Sequence, residues 1–271
     1  MHKARPLTDK EYAECFNVYK KISTEWEAIQ AWLTDDFLPC VPDDKSLAVL
    51  SVGSGTGDFD LALMRLLGGK IPHIAYTALD PNRGHNRIFR RRYKNGDIHV
   101  DSLKIIPQPF GREKISGNFD VIHLTHCLYY IPDRKAAINH AWELLNPGGS
   151  ILVFHQTALG INEIQRAFMR RVKGNEKEMF SAYDIMKLLD NTGIPYQHDI
   201  LISDLDVTDC VLENKTGTRL LSFLLECHIE NAEDALREES VLFLKENCRI
   251  VDGQYFLFHP GSIFWIRKEL Q

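Results

Sequence analysis

A glycine-rich loop between an apolar run and a helix is the feature that most constrains the fold of this chain. The segment LSVGSGTGDFD contains Gly53, Gly55 and Gly57, followed by Asp58. Glycines allow a tight turn and close approach of a ligand, and a helix N-terminus offers unpaired N–H groups. No Lys-Ser/Thr pair follows, and the GxGxG spacing differs from the GxGxxG of dinucleotide folds. The loop therefore predicts a cofactor site, but neither a Walker loop nor a nicotinamide fingerprint.

Short apolar runs alternate with amphipathic segments between residues 46 and 153. The runs are SLAVLSV (46–52), IAYTALD (74–80), LKII (103–106), FDVIHLT (119–125) and SILVFH (150–155). Continuous apolar strands joined by helices are typical of a parallel sheet covered on both faces. The pattern predicts a doubly wound α/β core.

An acidic residue follows the second of these runs, in the sequence Leu79-Asp80-Pro81. Ligands of open α/β sheets bind at the carboxyl ends of the strands, so we expect Asp80 beside the glycine loop. Its carboxylate can accept hydrogen bonds from ribose hydroxyl groups. The alternative is a structural role, in which Asp80 caps a helix that begins near Asn82.

The regions on either side of this core are mainly helical in pattern. Residues 9–34 predict one or two amphipathic helices, and further helices are predicted at 161–172, from Ser181 to Gly193, near 216–228 and at 233–247. The segment QYFLFHPGSIFWIRK predicts two strands that turn at Pro260-Gly261 and pair with each other to close the sheet.

Composition excludes several function classes. The 271 residues carry 32 Lys and Arg against 37 Asp and Glu, so the formal charge of -5 lacks the basic excess that nucleic-acid binding usually needs. The six cysteines have no CxxC spacing, so we expect free thiols and no metal site. No uncharged stretch approaches the ~20 apolar residues of a membrane span. We expect a cytoplasmic protein that binds neither nucleic acid nor membrane and needs no obligate protein partner.

Four motifs, in this order, resemble the class I S-adenosylmethionine-dependent methyltransferases: GSGTGD, ALDP, FDVIHLTHCLYYIPD and LLNPGGSILVF. The resemblance implies a Rossmann-like α/β fold with a seven-stranded, mostly parallel sheet and helices on both faces. It also implies helical substrate-binding elements toward both ends of the chain. The implied cofactor is S-adenosyl-L-methionine, with S-adenosyl-L-homocysteine as product. The implied cofactor contacts are Gly53, Gly55, Gly57, Asp80, Pro81, His85 and Thr125.

The resemblance extends over nearly the whole chain to the histamine N-methyltransferases. It is carried by FNVYKKISTEW, the LYY of HCLYYIPD, YDIMKLLDNTGIPY, LDVTDCVLEN and RLLSFLLEC. It implies that Glu25 pairs with the ammonium group of a small amine. An aromatic substrate pocket is implied for Phe16, Tyr19, Tyr129, Tyr130 and Phe223. Without the resemblance, a helical Glu25 would be a solvated surface charge and the two adjacent tyrosines would be core packing.

Two histidines stand where this family has amides in its substrate pocket. By resemblance, His126 aligns with a glutamine after the fourth strand and His259 with an asparagine near the C-terminus. With Glu25, both are candidate substrate-binding and catalytic residues. As a hypothesis, Glu25 anchors the positive charge of the substrate while His126, or secondarily His259, orients or deprotonates the acceptor nitrogen. The alternative is that both histidines only hydrogen-bond within the pocket wall.

These residues predict transfer of a methyl group from S-adenosylmethionine to a nitrogen of a small molecule. The acceptor is an amine or an imidazole-containing molecule such as histamine, a related amino acid or a dipeptide such as carnosine. Two alternatives stay open: a small-molecule O-methyltransferase that uses His126 as base, and a non-catalytic cofactor-binding protein. We expect one domain over residues 1–271, divided into an N-terminal helical lid (1–40), a cofactor-binding core (45–157), substrate-binding helices and a strand (158–250) and final antiparallel strands (251–271).

Overall fold

The computed structural model describes residues 4–43, 46–111, 115, 117–174 and 180–270. The helices are α1 (Asp9–Ile22), α2 (Glu25–Trp32), α3 (Asp58–Gly68), α4 (Arg83–Asn95), α5 (Arg134–Leu144), α6 (Ile161–Lys173), α7 (Ala182–Asp190), α8 (Thr208–Val211), α9 (Lys215–Leu224) and α10 (Asp234–Asn247). The strands are β1 (Leu47–Val52), β2 (Ile74–Leu79), β3 (Ser102–Ile106), β4 (Phe119–Thr125), β5 (Leu145–Gln156), β6 (Tyr196–Leu201), β7 (Asp204–Asp206), β8 (Cys248–Val251), β9 (Gln254–Phe258) and β10 (Gly261–Arg267). The helices predicted on both sides of the core are confirmed.

The chain divides into two compact units, each made of three segments. The first unit comprises residues 1–30, 156–183 and 200–261, and the second comprises residues 31–155, 184–199 and 262–271. The expected single domain over residues 1–271, with its lid, core and substrate-binding parts, stays a prediction.

The second unit is built around a seven-stranded sheet with the strand order β3-β2-β1-β4-β5-β10-β6. The pairs β1/β2, β1/β4, β2/β3 and β4/β5 are parallel. The chain runs outward from β1 to β3 and then returns to β4 on the other side of β1, so the strand order reverses between β1 and β4. Ligands of open α/β sheets bind at such a switch point. The predicted Rossmann-like α/β fold with a mostly parallel sheet is confirmed.

Burial along β1 explains why its sequence is a continuous apolar run. Val49 and Leu50 are adjacent in the chain, and neither exposes any surface. Adjacent residues of a strand point to opposite faces of the sheet. Both faces are therefore covered at this strand, which favours apolar residues at consecutive positions instead of alternate ones, with Ser51 as the polar exception in β1.

The first unit has its own sheet and its own apolar core. Its strands are antiparallel in the order β7-β9-β8, and Leu205 of β7 lies opposite Leu257 of β9. Both leucines are buried, as are Leu220 and Leu224 of α9. The capping box of α1, in which Thr8 and Glu11 exchange hydrogen bonds, fixes where that helix begins.

Both of the final predicted strands are present, but the predicted pairing between them is wrong. β9 pairs with β7 and β8, whereas β10 lies between β5 and β6 in the large sheet. The residues between the strands explain the difference. Pro260 has no N–H to donate, and its carbonyl accepts from the N–H of Thr157. The carbonyl of His259 accepts from the Ser203 hydroxyl, so this linker bonds to other segments and the chain changes sheets here.

Candidate active site

The glycine loop lies at the carboxyl end of β1, beside the switch point. All three of its glycines have φ between 55° and 79°, which residues with side chains rarely adopt. A Cβ on Gly53 would lie 2.5 Å from the Cβ of Cys127, and one on Gly57 would lie 2.3 Å from the Phe89 ring. A Cβ on Gly55 would meet nothing within 4 Å. Gly53 and Gly57 are therefore required by packing, while the space at Gly55 suits a ligand drawn close to the backbone.

The carboxylate of Asp80 is fixed beside this loop. Its Oδ2 accepts from the N–H of Gly55 at 2.9 Å and its Oδ1 from the N–H of Asn82 at 2.7 Å. Burial raises the pKa of Asp80, but the His85 imidazole, whose Nδ1 lies 3.7 Å from Oδ1, and hydrogen bonds from the backbone of Asn82 and Gly55 outweigh burial and lower the pKa below its usual value. Asp80 is therefore an anion at neutral pH. The N-cap of α4 is Asn82, so Asp80 supports the turn before the helix and does not cap it.

The carboxyl end of β4 presents Thr125 and His126. Thr125 Oγ1 lies 3.2 Å from Nδ1 of His123. The backbone of His126 is left-handed, with φ of 47°, and its N–H donates to the carbonyl of Phe154 at 3.0 Å. Such a conformation is uncommon outside glycine and is frequent at functional sites. The His126 ring lies 6.4 Å from the ring of His155 on β5.

The two adjacent tyrosines after β4 have different environments. They lie in a short 3₁₀ turn at Leu128–Tyr130. The Tyr129 ring packs edge-on against His155 at 5.4 Å, whereas Tyr130 is 71% exposed. His155 is not among the site residues predicted from the sequence. Its position at the end of the run SILVFH, on the strand next to that of His126, is the signal that identifies it.

A buried chain of polar groups leads from α3 to Thr125. Tyr76 Oη donates to Asp60 Oδ1 at 3.0 Å and lies 2.8 Å from Nε2 of His123. All three side chains are at most 1% exposed. Burial, the charge of Asp60 and the hydrogen bond to it raise the pKa of Tyr76 well above its usual value. Since the phenol proton goes to Asp60, the Tyr76 oxygen is an acceptor for Nε2–H of His123, whose Nδ1 faces the Thr125 hydroxyl.

This end of the sheet fits the expected cofactor. The turned backbone of Gly55 leaves space, Asp80 offers an oriented anion, and Thr125 adds a hydroxyl group at the end of a strand next to β1. The individual contacts assigned to Gly53, Gly55, Gly57, Asp80, Pro81, His85 and Thr125 stay predictions.

The first unit gathers polar groups around Glu25, the first residue of α2. Glu25 is 6% exposed, and its Oε2 accepts from Tyr19 Oη at 2.7 Å. Tyr19 Oη also lies 3.3 Å from Nε2 of His259, which is 1% exposed. Burial, the charge of Glu25 and the hydrogen bond to it raise the pKa of Tyr19 well above its usual value. Tyr19 is therefore a neutral donor to the carboxylate.

Aromatic rings surround this polar group. The Tyr19 and Phe223 rings are 4.9 Å apart, and Phe16 lies 5.8 Å from Tyr19 and 5.6 Å from Phe223. Tyr12, an α1 residue that is not among those predicted for the pocket, completes the cluster at 5.6 Å from Phe223. The Lys20 ammonium lies 5.2 Å from the centre of the Phe16 ring, so one ring of the cluster already carries a cation on its face.

The predicted site residues thus fall into two groups. The first unit holds Phe16, Tyr19, Glu25, Phe223 and His259, and the second holds His126, Tyr129 and Tyr130 with the predicted cofactor contacts. Over the ranges that the structure describes, no three His, Cys, Asp or Glu side chains cluster as a metal site would require. Likewise, no helix in those ranges has the length and apolar character of a membrane span. The cytoplasmic location stays a prediction.

Comparison with known proteins identifies the family. Residues 26–195, more than half of the chain, match the model of a methyltransferase domain. Histamine N-methyltransferase from Xenopus tropicalis is 26% identical over 279 residues, which covers 95% of both proteins. The enzyme of that name from Danio rerio is also 26% identical and covers 90% of both.

Solved structures give the same fold at lower sequence identity. A putative sarcosine dimethylglycine methyltransferase from Galdieria sulphuraria superposes with a TM-score of 0.59 at 13% identity, covering 96% of this chain and 99% of that one. The plantazolicin methyltransferase BpumL superposes with a TM-score of 0.52 at 12% identity, covering 97% and 92%. The chain therefore belongs to the methyltransferase-domain family and is a class I methyltransferase enzyme, resembling histamine N-methyltransferase, whose cofactor is S-adenosylmethionine.

Proposed function

We propose that this enzyme methylates a nitrogen of a small cationic amine and that Glu25 binds the positive charge of the substrate. The observation that carries the proposal is the Glu25 carboxylate, which is 6% exposed and accepts from Tyr19 within a group of aromatic rings. Relatives over almost the full length of the chain are histamine N-methyltransferases, which supports the same substrate class.

A carboxylate bordered by aromatic faces is chemically suited to an ammonium group. Taking a carboxylate out of water is costly unless a cation or hydrogen-bond donors compensate it. Each aromatic face adds ~0.5–2 kcal/mol to the binding of a cation. Glu25 is also the first residue of α2, where the helix dipole favours negative charge. The hydrogen bond from Tyr19 and the helix dipole thus offset the cost of burying an anionic Glu25, and the aromatic faces favour a cation beside it.

The charge of the bound group limits which nitrogen reacts. An ammonium nitrogen has no lone pair, so a nitrogen held as a cation by Glu25 does not attack a methyl group. The acceptor is therefore a second, neutral nitrogen of the same molecule, for which an imidazole ring or a second amine qualifies. A neutral imidazole nitrogen needs no base before it attacks, whereas an alkyl ammonium must first lose a proton.

The cofactor site contributes orientation and activation. Bound S-adenosylmethionine supplies a methyl group that is already activated by the sulfonium charge. Gly55, Asp80 and Thr125 are the residues that would hold it. His126, with its left-handed backbone beside β5, is the candidate that orients the acceptor nitrogen or takes its proton. Most of the rate then comes from alignment of the lone pair and exclusion of water.

An acceptor panel tests this proposal. S-adenosylhomocysteine formation is followed with histamine, carnosine, aliphatic diamines, amino acids and catechols, using the wild type, Glu25→Gln and Glu27→Gln. Glu27 lies on the same helix but is exposed, so Glu27→Gln is a matched control. We expect turnover of a diamine or imidazole, with KM raised about 100-fold in Glu25→Gln because a buried charge pair is lost, and unchanged in the control.

Two other outcomes have clear meanings. Turnover confined to catechols, and insensitive to Glu25→Gln, would establish an O-methyltransferase and contradict the proposal. Turnover of an amine that is equally fast in Glu25→Gln would keep nitrogen methylation but remove Glu25 as the cation partner.

A further inference from the structure

We infer that Tyr19 and His259 are positioning residues for Glu25 and not members of a catalytic base system. The inference rests on the proposed function, in which Glu25 binds the cation of the substrate. Its geometric basis is a chain of three hydrogen bonds, from the backbone N–H of Ile161 through His259 and Tyr19 to Glu25.

The donor and acceptor of each hydrogen bond in this series follow from its first donor. The N–H of Ile161 donates to Nδ1 of His259 at 3.4 Å, and a backbone N–H can only donate. Nδ1 of His259 is therefore an acceptor without a proton, and the neutral ring carries its proton on Nε2. Nε2 faces Tyr19 Oη at 3.3 Å. His259 thus donates to Tyr19.

The second step fixes the proton of the phenol. Tyr19 Oη accepts from His259, and its own proton points to Oε2 of Glu25 at 2.7 Å. The hydroxyl of Ser23 also hydrogen-bonds to Tyr19, while the oxygen of Ser23 accepts the N–H of Glu25 at 3.2 Å. The side-chain donors of His259, Ser23 and Tyr19 are therefore aligned toward the carboxylate. The arrangement stabilises Glu25 as an anion and fixes the rotation of its carboxylate group.

Two glycines give this chain its close backbone packing. A Cβ on Gly160, which has φ of 64°, would lie 2.6 Å from Nδ1 of His259, so only glycine lets the start of α6 reach the ring. A Cβ on Gly261 would lie 3.1 Å from Oε1 of Glu25. A glycine backbone therefore lies close against each end of this hydrogen-bond chain.

This assignment changes the role of His259. A general base needs an unprotonated nitrogen that faces the acceptor. In His259 the unprotonated nitrogen faces the N–H of Ile161, and the ring is 1% exposed. The side chain is therefore suited to hold Tyr19 and not to remove a proton from substrate.

Equilibrium binding of histamine tests the inference on the full-length chain with S-adenosylhomocysteine present. The variants are Tyr19→Phe, His259→Leu and their double variant, with Tyr255→Phe on β9 of the same unit as a matched control. We expect each single variant to raise the Kd and KM for histamine about tenfold, the effect of one charge-assisted hydrogen bond, with kcat within about twofold. The double variant should bind no more weakly than either single one, because both act through the same carboxylate. Tyr255→Phe should match the wild type.

A ligand-free measurement separates this inference from the proposed function. In the ¹⁵N spectrum of histidine-labelled protein, the His259 signals, identified by their loss in His259→Leu, should show a protonated Nε2 and an unprotonated Nδ1. The opposite tautomer, independent effects of the two substitutions, or a fall in kcat without a change in KM would overturn the inference.

If Glu25→Gln abolishes histamine binding while Tyr19→Phe does not weaken it, the cation site stands and only the positioning role fails. If the wild type does not bind histamine, the amine proposal fails for this probe, and the ¹⁵N spectrum still decides the direction of the chain.

Discussion

Each of the two units contains a carboxylate, a tyrosine hydroxyl and an imidazole joined by hydrogen bonds. In the second unit these are Asp60, Tyr76 and His123, and in the first unit they are Glu25, Tyr19 and His259. Both tyrosines have a pKa raised well above the usual value, because both are buried against a carboxylate. The chemical groups are the same, so the two hydrogen-bond chains differ only in the residues that surround them.

The hydrogen-bond chain of the second unit is enclosed by secondary structure. Asp60, Tyr76 and His123 belong to α3, β2 and β4 and are at most 1% exposed. The chain in the first unit borders half-buried rings, of which Phe16 and Phe223 are the nearest to Tyr19. An enclosed chain orders the protein itself, whereas one bordered by aromatic faces is suited to a ligand. The surroundings of a polar group therefore decide its role more than its chemistry does.

The glycine loop has a similar contrast between a position enclosed by protein atoms and one open to a ligand. It gives the largest expected loss in the free energy of unfolding. Gly57→Ala forces a Cβ to within 2.3 Å of the Phe89 ring at a positive φ, so we expect a loss of about 3 kcal/mol in the free energy of unfolding. Gly55→Ala meets no atom within 4 Å and should lose about 1 kcal/mol. Cofactor affinity should fall in Gly55→Ala, because the Cβ enters the ligand space. Urea unfolding and calorimetric titration of S-adenosylhomocysteine measure the two effects, and equal stability losses would remove the distinction.

Removing each tyrosine hydroxyl in turn compares the two hydrogen-bond chains in their effects on stability and on histamine binding. Tyr76→Phe leaves buried atoms of Asp60 and His123 without the hydroxyl, so the free energy of unfolding should fall by about 2 kcal/mol, while histamine binding stays unchanged. Tyr19→Phe should cost about 1 kcal/mol of stability but weaken histamine binding. Urea unfolding of both variants at neutral pH checks the first effect. If Tyr19→Phe were the more destabilising of the two, the contrast between an enclosed and a ligand-facing chain would be wrong.

Asp80→Asn tests the predicted cofactor site through its affinity for S-adenosylhomocysteine and through the pH dependence of stability. Loss of the charge should weaken S-adenosylhomocysteine binding about tenfold, because hydrogen bonds from hydroxyl groups to a carboxylate become neutral ones. The folded pKa of Asp80 is lowered, so its contribution to stability is present above its unfolded pKa and is lost as pH falls through the folded value. The stability difference between Asp80→Asn and wild type should therefore shrink from pH 6 toward pH 3. A difference that grows on acidification would contradict the lowered pKa.

The smallest effect is expected at Tyr130. Its side chain is 71% exposed, so Tyr130→Ala should change the free energy of unfolding by less than about 0.5 kcal/mol. Tyr129→Ala, which removes a ring packed on His155, should cost more. Thermal unfolding of both variants distinguishes them. A large change in acceptor KM for Tyr130→Ala, without loss of stability, would support its predicted substrate role.

The sequence was informative wherever a residue's role depends on its neighbours in the chain. The largely apolar runs predicted β1 and β4, because a strand covered on both faces buries consecutive residues and leaves few polar positions. The glycine spacing predicted the loop. The predicted pairing of the last two strands failed at Pro260, because the partners of this linker, Ser203 and Thr157, lie far away in the chain. The hydroxyl role of Tyr19 was missed for the same reason, since His259 is 240 residues away.

The position of the transferred methyl group tests most directly whether Glu25 binds the cationic nitrogen of the substrate. Wild type, Glu25→Gln and Glu27→Gln are incubated with histamine and S-adenosylmethionine carrying a ¹³C methyl group, and the product is examined by NMR. At a histamine concentration well below the wild-type KM, we predict a ¹³C methyl signal on a neutral ring nitrogen in wild type and Glu27→Gln, and a signal about 100-fold weaker in Glu25→Gln. A methyl group on the side-chain amine, or an undiminished ring signal in Glu25→Gln, would contradict the assignment of Glu25 as the partner of the substrate's cation.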